Sequence, residues 1–252
     1  MIKLEHLSFP YALEDITCTL AQGKLIGIMG ANGAGKSTLL KAIAGILTPK
    51  SGQIWLNNRK LSDISPQQKS QQLAYLAQNT QIHWDLSTYD VIALGLLPPY
   101  SNLSSHNKEQ QKVRSVAEKF AVAPLLDKPF KQLSGGEKAR VQLARCCIKE
   151  APLLLADEPI APLDPYYQID IMQQLKALTP DRTCVIAIHH LSLAYRFCDE
   201  VILLGGGKII ASGTTQSVLT EDNLAAAFGI RAQIDPLRRE IFAVEKSVST
   251  VY

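Results

Sequence analysis

The stretch Gly30-Ala31-Asn32-Gly33-Ala34-Gly35-Lys36-Ser37 constrains this chain more than any other. It fits the pattern G-x-x-x-x-G-K-[ST], a phosphate-binding loop. A polyphosphate is held by several backbone N–H groups pointing inward, which requires tight, partly left-handed turns. Gly33 and Gly35 permit such turns and present no Cβ to an approaching anion. Lys36 adds a point charge for the β- and γ-phosphates, and Ser37 a hydroxyl for Mg²⁺. A helix starting near Lys36 would aim its first amides at the same anion. The flanks agree. Residues 25–29 are an apolar run suited to a buried strand, and Leu39, Leu40, Ile43 and Ile46 recur at helical spacing.

A second acidic feature fits this loop. Leu153-Leu154-Leu155-Ala156 is an apolar run ending in Asp157-Glu158. A strand covered on both faces reads as such a run, and ligands of open α/β sheets sit at the carboxyl ends of strands. Adjacent side chains diverge, so two acids can take two tasks. Asp157 is assigned to the Mg²⁺ sphere and Glu158 to polarising the attacking water.

The rest of the chain reads as α/β. Strands are expected at 2–9, 16–20, 54–56, 73–77, 184–188, 201–204 and 208–211. Asn57-Asn58 and Gly205-Gly206-Gly207 mark turns. Helices are expected from Ser65-Pro66, over 165–178 and 191–198, and after Thr220. Residues 48–52 read as a loop, 231–246 as two short strands around Asp235-Pro236, and 247–252 as a loose tail. Over 79–132 strands vanish and helical spacing dominates, with Val91, Leu94 and Leu97 in one segment and Val113, Val116, Ala117 and Phe120 in another. Pro98-Pro99 and residues 101–107 separate them.

Leu133-Ser134-Gly135-Gly136-Glu137 opens a further helix. Ser134 caps it, the glycines expose its first amides, and Val141, Ala144, Cys147 and Ile148 share its apolar face. Lys138, Arg140, Arg145 and Lys149 are expected largely off that face. Its start is a second anion-seeking helix end. One chain has no evident need of both, but two chains facing head-to-tail could each cover the other's nucleotide.

LSGGE after a phosphate loop and before an apolar Asp-Glu strand resembles the ATP-binding cassette (ABC) ATPase family, and the likeness runs through nearly the whole chain. It implies a P-loop NTPase (RecA-like) α/β core with an N-terminal antiparallel β subdomain and an inserted α-helical subdomain. These form one domain over 1–252: the core and β subdomain over 1–85 and 151–230, the helical part over about 86–150, and a C-terminal extension over 231–252. Gln78 resembles the Q-loop glutamine at the Mg²⁺ site, Asp164 in Ala161-Pro162-Leu163-Asp164 the D-loop, and His189 the switch histidine near the γ-phosphate. Tyr11 resembles the aromatic that stacks on adenine. Asn32, Gly33, Ala34, Gly35, Lys36, Ser37 and Thr38 would hold ATP in one chain. Ser134, Gly135, Gly136 and Asp164 would reach it from the other, with Lys36, Glu158 and His189 supporting hydrolysis. The chain departs from the family in carrying His190 after the switch His, Ile160 after Asp-Glu-Pro and Ala77 before Gln78, and in the short loop after Tyr11.

Softer signals narrow the likeness. Leu86 to Gly95, His189 to Phe197, and Val218 to Ile230 are similar to importers of iron-siderophores, haem and cobalamin. This implies ATP and Mg²⁺ as cofactors, a homodimer, an integral-membrane permease, indirectly a substrate-binding protein, and a place on the cytoplasmic face of the inner membrane through the permease. Other transporters, or a soluble member acting in iron–sulfur assembly, remain alternatives. The 54 residues between Gln78 and Leu133 carry no heptads, which argues against the coiled coil of DNA-repair members. A net charge of +3 without a basic stripe argues against nucleic acid. The five cysteines form no CxxC and read as reduced core thiols. No apolar run approaches the ~20 residues that span a bilayer, and 1–6 lack a signal-peptide core, so a soluble protein is expected.

Overall fold

The computed structural model describes residues 1–78, 82, 84–96 and 106–246. Leu97, Pro98-Pro99, the 101–105 separator and the 247–252 tail lie outside them. The chain opens with β1 (Ile2–Phe9), β2 (Leu13–Leu20) and β3 (Leu25–Gly30), then α1 (Lys36–Ile43), β4 (Ser51–Leu56), β5 (Arg59–Lys60), α2 (Pro66–Gln72) and β6 (Leu73–Leu76). A helical stretch follows: α3 (Thr88–Ala93), α4 (His106–Lys119) and α5 (Gly135–Cys147). Strands and helices then alternate through β7 (Leu153–Asp157), α6 (Pro165–Ala177), β8 (Thr183–Ala187), α7 (Leu191–Phe197), β9 (Glu200–Gly205) and β10 (Lys208–Thr214). The chain ends with α8 (Thr215–Val218), α9 (Glu221–Phe228) and a hairpin of β11 (Ile230–Asp235) and β12 (Glu240–Lys246).

Among the described residues, the larger sheet runs β10-β9-β3-β8-β7-β6. It is parallel except for β10, which returns antiparallel along β9. The smaller sheet, β2-β1-β4-β5, is antiparallel. Every residue of β3, β7 and β8 is buried, because both faces of the large sheet are covered. Ile26, Ile28, Leu155 and Val185 pack with α1 and the small sheet. Leu25, Met29, Leu154 and Ile186 face the other way, into a core built with helices α3 to α9.

β1 alternates as expected of a half-buried strand and pairs with β2 on one side and β4 on the other. Several boundaries moved, β10 running on to Thr214 among them. The smaller sheet takes in Ser51 and Gly52, expected as loop. Gly52 has φ +86, and a Cβ there would lie 2.3 Å from the carbonyl oxygens of Glu5 and His6. Only glycine lets β4 approach β1 so closely at the break in their register. β2 starts at Leu13 rather than Ile16, because Leu13 pairs with Phe9.

One expectation needs correcting. Arg140 does not lie off the apolar face of α5; it is buried. Its guanidinium donates 2.7 Å to the carbonyl oxygen of Ala121, just past α4, and lies 3.9 Å from the ring centre of Tyr167 on α6. Ala121 has φ +51, and Arg140 reaches the main-chain oxygen that this turn presents. The flat guanidinium fits between that carbonyl and the ring face, which a solvated cation would not need.

The five cysteines are all free, with Cys146, Cys147, Cys184 and Cys198 buried. Burial pushes the thiols of Cys147, Cys184 and Cys198 up to about 12. No helix among the described residues is long and apolar enough to cross a membrane.

Arg140→Ala leaves the Ala121 carbonyl unpaired and empties the space over Tyr167. It should lower unfolding stability by about 2 kcal/mol, read as a fall in the urea midpoint. Arg140→Lys should recover less than half of that loss, because an ammonium cannot both bond the carbonyl and lie flat on the ring.

Candidate active site

The site forms where the parallel strands end. The order of the large sheet reverses about β3, with β8 on one side and β9 on the other, the position where open α/β sheets bind ligands. Past β3 the chain turns through Gly30 (φ +149), Gly33 (φ +80) and Gly35 (φ +98). With φ +98 at Gly35, a Cβ there would also lie 2.7 Å from the carbonyl oxygen of Ala12, so the loop closes against the β1–β2 turn only with glycine. No side chain caps α1, which leaves its first amides aimed at the loop. The Ala34 amide instead closes the turn itself, donating to the Ala31 oxygen at 3.2 Å.

A cavity of about 690 Å³ lies over this loop. It gathers Asn32, Gly33, Gly35, Lys36, Ser37, Thr38, Gln78, Glu158 and His189 from four parts of the sequence. Ala12 joins them, a residue that no sequence signal marked; it comes in because the β1–β2 turn folds over the loop. Tyr11 beside it has φ +62 and points into solvent, fully exposed and outside the cavity lining.

Three side chains form one chain of bonds. Gln78 Nε2 donates to Glu158 Oε2 at 2.7 Å, and His189 Nε2 lies 2.6 Å from Glu158 Oε1. Glu158 itself has φ +53. A non-glycine residue in this left-handed region costs on the order of 1 kcal/mol or more, and the two partners hold it there. The carboxylate is thus fixed at both oxygens on the wall of the cavity.

Deeper in, Ser37 Oγ donates 3.0 Å to Asp157 Oδ1. Asp157 is 2% exposed. Burial raises its pKa, the Ser37 bond opposes this, and the Glu158 charge adds to it. No Lys or Arg lies within ion-pair distance of Asp157 among the described residues. A buried carboxylate beside a hydroxyl, an all-oxygen donor pair, fits a hard divalent cation. Lys36 donates to the carbonyl oxygens of Gly30 at 2.9 Å and Ala31 at 3.0 Å. Burial lowers its pKa, with Glu158 and Asp157 acting in the other direction.

The LSGGE helix lies apart from this cavity. Ser134 Oγ accepts from the Glu137 amide and Glu137 Oε2 from the Ser134 amide at 2.8 Å, a closed capping box. The Ser134 bond holds the Glu137 carboxyl below its usual range. Those bonds use the amides of Ser134 and Glu137, while Ser134 and Gly135 stand exposed at the tip. Asp164 caps α6, accepting from the Tyr167 amide at 3.1 Å. Neither group lines the phosphate-loop cavity of its own chain. His190 caps α7 through Nδ1, which accepts from the Leu193 amide at 3.3 Å.

Comparison with known proteins gives this geometry its family. The ABC transporter family matches residues 13–161, the span from β2 through the phosphate loop and LSGGE to the residues after Glu158. The chain belongs to that family. It is an ABC ATPase on a P-loop NTPase fold. It is 38% identical over 232 residues to the hemin import ATP-binding protein HmuV of Bordetella pertussis, covering 88% of each chain. It is 35% identical over 224 residues to the cobalamin import ATP-binding protein BtuD of Halobacterium salinarum, spanning 88% of this chain and 56% of that protein. Among solved structures, the dimeric post-hydrolysis ATP-binding cassette MJ0796 bound to ADP and Pi superimposes with a TM-score of 0.79 at 25% identity, covering 85% of this chain and 99% of that one.

For this ABC ATPase the buried Asp157 sets a pH signature of stability. The folded state raises its pKa above the ordinary carboxylate range, through burial first, and so favours the neutral carboxyl. The ionisation penalty is absent below the ordinary carboxylate range and grows as pH rises through the folded value. Asp157→Asn should therefore raise Tm at about pH 7 without added divalent cation, and the gain should shrink steadily toward about pH 4. Thermal unfolding across that range measures it.

Proposed function

We propose that this chain is the ATP-hydrolysing subunit of an importer for metal chelates of the haem, cobalamin or iron-siderophore kind, working as a homodimer on a membrane permease. The observation that carries the reading is the carboxylate of Glu158 held between Gln78 and His189 over the phosphate loop. Support for the substrate class comes from the two named importer relatives; the chelate would be bound elsewhere in the assembly, by the permease and a substrate-binding protein.

In this reading ATP lies over Asn32, Gly33, Ala34 and Gly35, with Lys36 on its β- and γ-phosphates and the amides of Ser37 and Thr38 behind them. Ser37, Gln78 and Asp157 would hold Mg²⁺, which neutralises charge on the phosphates. Glu158 accepts the proton of the attacking water, and His189 orients Glu158 and faces the γ-phosphate. The Tyr11 ring, free in solvent, would meet the adenine only on ligand binding. Ser134, Gly135, Gly136 and Asp164 reach the ATP of a second, head-to-tail copy; their position away from their own chain's cavity agrees with that role. The residues divide into a core with the β subdomain (1–85 and 151–230), a helical lobe (about 86–150) and a C-terminal extension (231–252). Closure on ATP moves the helical lobe, which pushes on the permease at the cytoplasmic face of the membrane.

Glu158→Gln should keep ATP affinity while cutting turnover by about 100-fold or more, and with ATP it should run as a dimer in size-exclusion chromatography. Wild-type turnover in that variant would overturn the assignment. Lys36→Ala should weaken binding of a fluorescent ATP analogue by about 10-fold or more, since it removes a charge-assisted contact worth roughly 1.5–3 kcal/mol; an unchanged affinity would remove Lys36 from the site.

A further inference from the structure

The hairpin of β11 and β12 is bonded to the helix that follows His189. Ser192, in the first turn of α7, donates from Oγ to the carbonyl oxygen of Ile241 at 3.0 Å and accepts from the Ile241 amide at 3.0 Å. Serving both main-chain groups of one residue takes a side chain that donates and accepts at once, as a hydroxyl does. Ser192 thus stands where a further strand would pair with β12, and both main-chain groups of the buried Ile241 are satisfied. At the other end of the helix, Arg239 donates to the carbonyl oxygen of Arg196 at 3.5 Å. The hairpin therefore holds α7 in its first turn and in its last.

We infer that the C-terminal hairpin is a brace for His189, with Ser192 as the positioning residue. The inference rests on the reading of His189 given above. His189 lies three residues before Ser192, between two fixed points. Upstream, the Ile188 amide donates to the Ile28 carbonyl oxygen of β3 at 3.1 Å. Downstream, the chain enters α7 at His190, whose Nδ1 accepts from the Leu193 amide, and Ser192 lies between those two residues. Leu193 and Ala194 bury α7 against the helical core. Apolar burial sets the depth of a helix but has no direction, so it leaves the helix free to turn or slide on its bed. Hydrogen bonds are directional, and the Ser192–Ile241 pair fixes the start of α7 in rotation and along its axis. His189 Nε2 lies 2.6 Å from Glu158 Oε1, and a shift of the helix start carries that nitrogen with it. A group at a reaction centre must be held within about 0.5 Å of its productive place. The hairpin thereby sets how firmly Glu158 is held from the His189 side.

Ser192→Ala removes both bonds to Ile241, and Ser192→Thr keeps the hydroxyl. ATPase kinetics, affinity for a fluorescent ATP analogue and Tm are measured on the purified full chain, with His189→Ala alongside and all kinetics well below the lowest Tm. The ring-proton resonances of the five histidines are followed by NMR, that of His189 being assigned by its loss in His189→Ala. Expected for Ser192→Ala is a fall of about 10-fold in kcat, with ATP affinity within about 2-fold of wild type and a displaced His189 resonance. Ser192→Thr should stay within about 3-fold of wild type in kcat and return the resonance to its place. Wild-type kcat or an unmoved His189 resonance in Ser192→Ala, with His189→Ala impaired, overturns this inference and leaves the reading of His189 intact. A fall in Tm or in ATP affinity as the sole change also overturns it, in favour of packing alone. Wild-type turnover in His189→Ala overturns the reading of His189 itself, and this inference with it.

Discussion

The parallel register of β6, β7 and β8 is the constraint on which the site depends. Leu76 pairs with Ala156, and Asp157 with Ala187. Gln78 and Glu158 each stand two residues beyond the Leu76–Ala156 pair, whereas His189 stands two residues beyond Ala187, the partner of Asp157, and so one step past the position opposite Glu158. The side chains leave their strand ends side by side, and the Glu158 carboxylate meets one partner on each oxygen. A slip of one residue in either pairing would turn a side chain to the opposite face of the sheet. The apolar runs protect the register: Leu154 and Ala156 face the helical core while Leu153 and Leu155 face the small sheet, so any slip would exchange two complementary cores at once.

The same arrangement explains why the costly groups sit where they do. The left-handed backbone of Glu158, the buried carboxylate of Asp157 and the buried ammonium of Lys36 each oppose stability locally. All lie at the carboxyl edge of a sheet whose strands β3, β7 and β8 are buried along their whole length. A rigid, fully covered sheet over-determines its ends, and strain gathers where it serves chemistry. Lys36 and Asp157 also temper each other, since the carboxylates raise the pKa that burial lowers.

Much of this was legible in the sequence because the signals were local. The phosphate loop, the Asp-Glu strand end and LSGGE are short patterns in which backbone geometry dictates residue type, and the strand runs follow from burial on two faces. The unread features depend on residues far apart in the chain. Nothing near Arg140 tells that Ala121 presents a carbonyl to it, nor that Tyr167 offers a ring face. Gly52 reads as a loop residue until the backbone of β1 is seen against it. Ala12 enters the site only because the β1–β2 turn folds over the loop. Helical spacing predicted which residues of α5 face inward from their apolar character, and so it misplaced the one arginine buried there.

The two helix starts differ in a way that bears on their use. The first, at α1, has no side-chain cap and opens into a cavity with a buried lysine. The second, at α5, is closed by the Ser134–Glu137 box and is stable as it stands in water. In the proposed head-to-tail dimer the first end lies open to its own chain's nucleotide, while the second would meet a nucleotide only when a partner arrives and keeps its own cap in between, because bare amides on an exposed tip would fray. Gly135 and Gly136 keep that capped tip free of side chains, and no Cβ would meet another atom within 4 Å at Gly135. Sterics inside this chain do not demand a glycine there, and a bare tip fits the proposal that the nucleotide of a second copy meets it.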